Sequence, residues 1–142
     1  MKRVPELRDL SDDHHTGLVL ALRCKRAATA DPRREPDELW AELREAFASE
    51  LEPHFRIEEQ HLLPALEAIG EHALASRIRE DHLALRALVA SEAPSHALLG
   101  RFGEGLERHI RYEEREVFEP TQARLPARAL EAIAAACEAR KR

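Results

Sequence analysis

The stretch His54-Phe55-Arg56-Ile57-Glu58-Glu59-Gln60-His61 places a histidine and a glutamate four positions apart. The same arrangement returns at His109-Ile110-Arg111-Tyr112-Glu113-Glu114. His54 to His109 is 55 residues, and Glu58 to Glu113 is also 55. On an α-helix, residues i and i+4 lie one above the other on the same face. Each stretch therefore reads as a half-site with two ligand-type side chains in line, and the fold must be one that brings the two half-sites together.

Working outward, apolar residues recur at spacings of three and four, the period of an amphipathic helix. Around the first stretch the stripe runs Trp40, Leu43, Phe47, Leu51, His54, Glu58, His61 or Leu62, and Ala65. Asp37 suits its N-cap and Gly70 its exit. Pro53 lies inside the stripe, where a missing backbone donor predicts a bend around Ser49 to Pro53; Pro64 sits near the end. The second stretch lies on Leu98 or Leu99, Phe102, Leu106, His109, Glu113 and Val117, with Pro120 as its expected end. Gly100, Gly103 and Gly105 weaken its first turns and permit close helix approach.

Two more stripes complete the set. Leu7, Leu10, His14, Leu18 and Ala21 mark a helix starting at Ser11-Asp12-Asp13 or a turn earlier, after Pro5, and fading near Ala30. Leu74, Ile78, His82, Leu85 and Val89 mark another, over roughly 71–90. Proline-bearing breaks fall at 31–36 and 91–95. Pro126 suits the first turn of a fifth helix, Ala127 to about Arg140, with Leu130, Ile133 and Cys137 on one face.

The totals agree. A chain of 142 residues is long enough for one domain with its own core. Helix formers dominate and β-branched residues are few. The expected fold is all-α: an antiparallel up-down four-helix bundle over about 6–120 with a short fifth C-terminal helix over about 126–140, one domain spanning 1–142. The net charge of −5 comes from interleaved Arg and Glu, not a basic stripe, which argues against a nucleic-acid surface. No segment is apolar enough to span a bilayer, and the charged start shows no signal peptide. With Cys24 and Cys137 far apart and outside any CxxC pair, a cytoplasmic chain with reduced thiols is expected.

Each of the four long stripes carries a histidine, and two add a glutamate one turn later. Unpaired buried carboxylates are costly, so these positions need exposure or a partner, and a metal ion satisfies His and Glu together. His54 with Glu58 and His109 with Glu113 supply two half-sites; His82 and a first-helix histidine close the ring. His14 lies nearer the middle of its stripe and His15 about 100° away at the edge, so His14 is preferred and His15 stays open. About six protein ligands exceed what one tetrahedral ion needs, and two ions bridged by carboxylates fit the count better. His61 lies seven after His54, on the same side, as a possible extra polar group beside the metals; Val117 is read as its counterpart. His72 and His96 read as surface residues, and Trp40 and Phe47 as core. Glu59 and Glu114 are expected to pair with arginine or water at helix boundaries, with the repeating Arg56 and Arg111 as candidates.

Asp13-His14-His15, His54-x3-Glu58-Glu59 with a nearby proline, Asp81-His82 and His109-x3-Glu113-Glu114, in this order, resemble the hemerythrin-like, or HHE cation-binding, domain family over about the first 120 residues. The resemblance implies a four-helix bundle around two non-haem iron ions, with an oxo, hydroxo or water bridge. Glu58 and Glu113 would bridge, and His14 or His15, His54, His82 and His109 would be terminal ligands. The pattern departs from that of the oxygen-carrying members. Their third helix has His-x3-His where this chain has Arg86 at the second position, and their last motif is His-x4-Asp where this chain has His109-x3-Glu113. The broader bacterial group is the better match, and oxygen transport is placed in doubt. One fewer histidine leaves a coordination position for water, hydroxide or His61, as small-molecule chemistry requires. The Glu-x-x-His pair of ferritin-like bundles fits only once, at Glu58-x-x-His61.

The expected function is a di-iron protein that binds or reacts with O2, NO or peroxide, with no nucleic-acid or membrane partner. The alternatives are a small di-iron oxidase or peroxidase, and an interaction module stabilised by iron or zinc.

Overall fold

The computed structural model describes residues 2–30 and 36–142, so all of the loop expected at 31–36 but Pro36, which already begins a helix, lies outside the described residues. Among the described residues the chain is all-helical. A 3-10 turn, Pro5–Leu7, leads into α1, Arg8–Ala30. α2 runs over 36–68, α3 is His72–Val89, α4 runs over 96–121 and α5 is Ala127–Arg140. The earlier of the two expected starts for α1 is the one observed. Ser11 lies inside that helix and caps nothing; its hydroxyl donates to Glu114 Oε2 at 2.9 Å.

The ends follow local chemistry. Gly70, at φ 87, takes the left-handed conformation after α2 that side-chain-bearing residues avoid. Ser95 Oγ accepts from the Leu98 N–H at 3.0 Å and caps α4.

The internal prolines act as a group. Three π-helical segments interrupt the long helices: Phe47–Leu51, Glu58–Leu62 and Glu113–Phe118. Each ends two residues before a proline: Pro53, Pro64 and Pro120. A proline ring has no N–H and crowds the carbonyl four residues back. Those carbonyls belong to Ser49, Gln60 and Glu116, each inside a π segment. The wider turn takes up the crowding, so the helix continues where an end was expected: Pro120 is followed by helix to Thr121.

α1 packs most extensively along α4, and α3 touches both α2 and α4. The close approach of α1 and α4 depends on Gly103: a Cβ there would meet the Ala21 carbonyl oxygen at 2.7 Å. α5 lies against the side of the bundle, over the Pro5–Leu7 turn and the middle of α2.

The core is in two parts. One cluster gathers Leu7, Leu10, Leu62, Leu66, Ile78, Val117 and Phe118 with Ile133 and Cys137 of α5. The other gathers Leu43, Phe47, Phe55, Leu85, Phe102, Leu106 and Ile110. Trp40 joins the second cluster, as expected for a core residue. Along each bundle helix a buried histidine falls at or next to the boundary between the two apolar sets. No helix among the described residues is long and apolar enough to cross a membrane.

Candidate metal centre

The polar layer between the two apolar clusters is built from six side chains. His14 on α1, His54 and Glu58 on α2, His82 on α3, and His109 and Glu113 on α4 are at most 4% exposed. They form two groups close enough to hold a cation: His14, His54, Glu58 and Glu113, and His82, His109, Glu58 and Glu113. The two glutamates belong to both groups. This is the geometry in which carboxylates bridge a pair of ions.

Imidazole Nε2 atoms converge on the shared carboxylates. His54 Nε2 lies 3.2 Å and His14 Nε2 4.0 Å from Glu58 Oε2, and His82 Nε2 lies 3.1 Å from Glu58 Oε1. On the other side, Glu113 Oε1 is 2.6 Å from His109 Nε2 and 3.5 Å from His14 Nε2. Most of these contacts are not aligned as hydrogen bonds. Nε2 of His14, His54 and His109, Glu58 Oε2 and both Glu113 oxygens are buried without a hydrogen-bond partner. Buried polar atoms almost always have partners. Six unpartnered ligand-type atoms gathered in two overlapping groups suit a pair of cations.

Each Nδ1 is held from behind by a second carboxylate. His14 pairs with Glu114 at 2.6 Å, His54 with Asp13 at 2.9 Å, His82 with Glu59 at 2.7 Å and His109 with Asp81 at 2.9 Å. A carboxylate there keeps the proton on Nδ1 and leaves Nε2 free as a ligand. The pairing is cyclic. The acid before His14 or His82, and the acid after each shared glutamate, serves the histidine of the next helix, with α4 serving α1. Phe55 stacks on the His82 ring, with centroids 3.8 Å apart, and fixes its plane.

The electrostatics call for positive charge at the centre. Burial opposes a charged imidazole at His54, but the Glu58 carboxylate and Asp13 raise it to about 10. Burial likewise opposes charge at His109, and Glu113 with Asp81 raises it to about 10. Burial opposes the Glu113 carboxylate too, yet the facing His109 holds it well below its ordinary value. In the metal-free state protons on His54 and His109 meet part of this demand; a cation meets it when bound.

Six of the expected ligands are thus brought together; His15, and the two residues expected around the centre or as an extra ligand, His61 and Arg86, are not among them. His15 is exposed and outside both clusters, which leaves His14 as the first-helix member. His61 is half-buried and also outside them. The register with Val117 is corrected as well: Leu62, 55 residues earlier, is its counterpart, and both are fully buried. His61 aligns with the exposed Glu116. Arg86 does not face the interior of the centre; it grips Glu59 and Glu52 with four hydrogen bonds. Arg56 and Arg111 pair with Glu52 and Glu107 rather than with Glu59 and Glu114. His72 is exposed, and His96 is half-buried at the start of α4. The sequence reading missed the carboxylates as imidazole anchors. The two Asp-His and two Glu-Glu dipeptides were their signal.

Fold and site together define a helical-bundle module with two His/Glu clusters able to hold a pair of cations. Residues 6–121 match the hemerythrin HHE cation-binding domain, and the chain belongs to that family. Comparison with curated proteins and with solved structures gives no match.

Proposed function

We propose that the chain is a non-haem di-iron protein whose centre binds or reacts with a small ligand, O2, NO or peroxide, in sensing, storage or detoxification. The observation that carries this reading is the sharing of Glu58 and Glu113 between two otherwise separate imidazole pairs. Imidazole with carboxylate is a donor set that suits iron. Each ion would have four residues around it, so a metal that prefers more ligands keeps positions for a small molecule. When bound, the metal pair would supply the redox and ligand-binding chemistry; the chain itself supplies orientation, charge and a dry interior. The oxidase or peroxidase alternative draws on His61 as an extra acid or base, and His61 stands outside both clusters.

A structural zinc site is the second reading, because four donors per ion is what tetrahedral zinc takes. One experiment separates the two. Metal content is measured in protein from its native host, and the metal-free chain is loaded anaerobically with Fe(II), then exposed to air or to NO. About two irons per chain with a change in visible absorption is the expected result. Zinc in the native protein with no spectral response favours the structural reading. A chain that retains neither metal sinks both.

A further inference from the structure

The carboxylates behind the four imidazoles are themselves held, and the holders differ between the two halves of the centre. Behind His82, Glu59 takes hydrogen bonds from Arg86 at 2.7 and 3.0 Å. Behind His109, Asp81 has Arg77 Nε at 3.8 Å, with the guanidinium stacked 4.0 Å from the centroid of the Tyr112 ring. Both arginines stand on α3. Behind His14, Glu114 accepts from Arg3 Nη2 at 3.0 Å. Behind His54, Asp13 Oδ2 accepts from Arg140 Nη1 at 2.7 Å, and the same oxygen faces His54 Nδ1. Arg3 precedes α1 and Arg140 ends α5, so both come from segments flanking the family match at 6–121.

We propose that Arg3 and Arg140 are positioning residues for the His14–His54 half of the centre, and that docking of the two flanking segments sets the metal affinity of that half separately from the His82–His109 half, which α3 holds by itself. This rests on the metal reading given above. An imidazole ligates through Nε2 only while its proton stays on Nδ1, and the carboxylate behind it enforces that state and the ring's orientation. Asp13 and Glu114 are 24% and 28% exposed, so water competes for them. A planar guanidinium with several fixed donors fixes such a carboxylate in a way water does not. Arg140 also bonds the Glu50 carbonyl oxygen at 3.0 Å, which ties the end of α5 to α2 at the same point.

The full metal-free chain is titrated with Co(II) against a competing chelator, so that the two binding steps are resolved. Arg140→Gln and Arg3→Gln should each weaken one step about tenfold, the low end of what loss of a ligand's hydrogen-bond partner costs, and leave the other within about twofold. Arg86→Gln should weaken the opposite step. Arg140→Lys should recover part of the loss. Lys141→Gln is the control: it removes contacts to Asp9 and Glu138 at the same helix end, with no link to a ligand. In the cobalt-loaded protein the exchangeable Nδ1–H signal of one imidazole should exchange faster with water in Arg140→Gln. Unchanged steps in Arg140→Gln, an equal fall in both steps, or the same loss in Lys141→Gln would overturn the assignment of positioning. A wild-type chain that binds no Co(II) or Fe(II) would overturn the metal reading itself, a result distinct from these.

Discussion

Glu58 and Glu113 are the residues on which both ions would depend, since each belongs to both clusters. Replacing either with alanine takes one of the two shared carboxylates away from both clusters at once. Glu58→Ala and Glu113→Ala should each reduce bound metal from about two ions per chain to near zero, read as metal retained after gel filtration. The exposed His15 and His72 give matched controls, and their alanine variants should retain the full complement; equal metal content in all four variants would contradict the assignment. The imidazole anchors make a smaller, graded prediction. Asp13→Asn and Glu59→Gln should lower affinity by about 10–100-fold without abolishing it. At this scale the sequence picked out the six side chains that cluster, because the i, i+4 rule fixes which side chains share a helix face. It favoured His14 over His15 by stripe position, as the structure places them. It did not show which acid anchors which imidazole, because those pairs span 23 to 100 residues and depend on the order of helices around the bundle.

Among the elements, the α1–α4 contact is the one most exposed to a single methyl group. A Cβ on Gly103 would stand 2.7 Å from the Ala21 carbonyl oxygen and 3.1 Å from the Lys25 backbone nitrogen, and neither moves without shifting α1. Gly103→Ala should cost about 1–3 kcal/mol, the usual penalty for overpacking. Gly105 sits two residues away with only Leu85 Cδ2 near, at 3.5 Å. Gly105→Ala should therefore stabilise by roughly 0.5–1 kcal/mol through helix propensity alone. Urea unfolding of the two variants checks the opposite signs; a stabilising Gly103→Ala would mean that the helices are not held this close. The helices and their apolar faces were legible from periodicity, and the glycines hinted at close approach. The π segments were not, although their cause was visible in Pro53, Pro64 and Pro120. A proline announces that a helix must kink, stop or widen, and which of these occurs depends on packing that no local pattern contains. Two of the three π segments begin at Glu58 and Glu113, so the backbone departs from regularity at the two shared glutamates.

At the level of the whole molecule, the two apolar clusters close over a layer that cannot satisfy itself. Six buried atoms lack partners in the metal-free chain, and each such group typically costs about 1–3 kcal/mol. The folded bundle therefore holds the layer at a disadvantage that a cation pair removes, while the unfolded chain has no preformed site to bind one. Binding to the native state alone stabilises by RT ln(1 + [L]/Kd) for each ion, about 2.7 kcal/mol per ion when free metal is a hundredfold above Kd. For a domain of this size that is a rise in melting temperature of roughly 5–11 °C for each ion bound. Calorimetry of the chain with excess chelator and with Fe(II) under anaerobic conditions measures it directly. Glu58→Ala should show no metal-dependent rise, because the shared carboxylate is gone. If wild type melts at the same temperature with and without metal, the layer is satisfied in some other way and the bundle does not exist to hold ions.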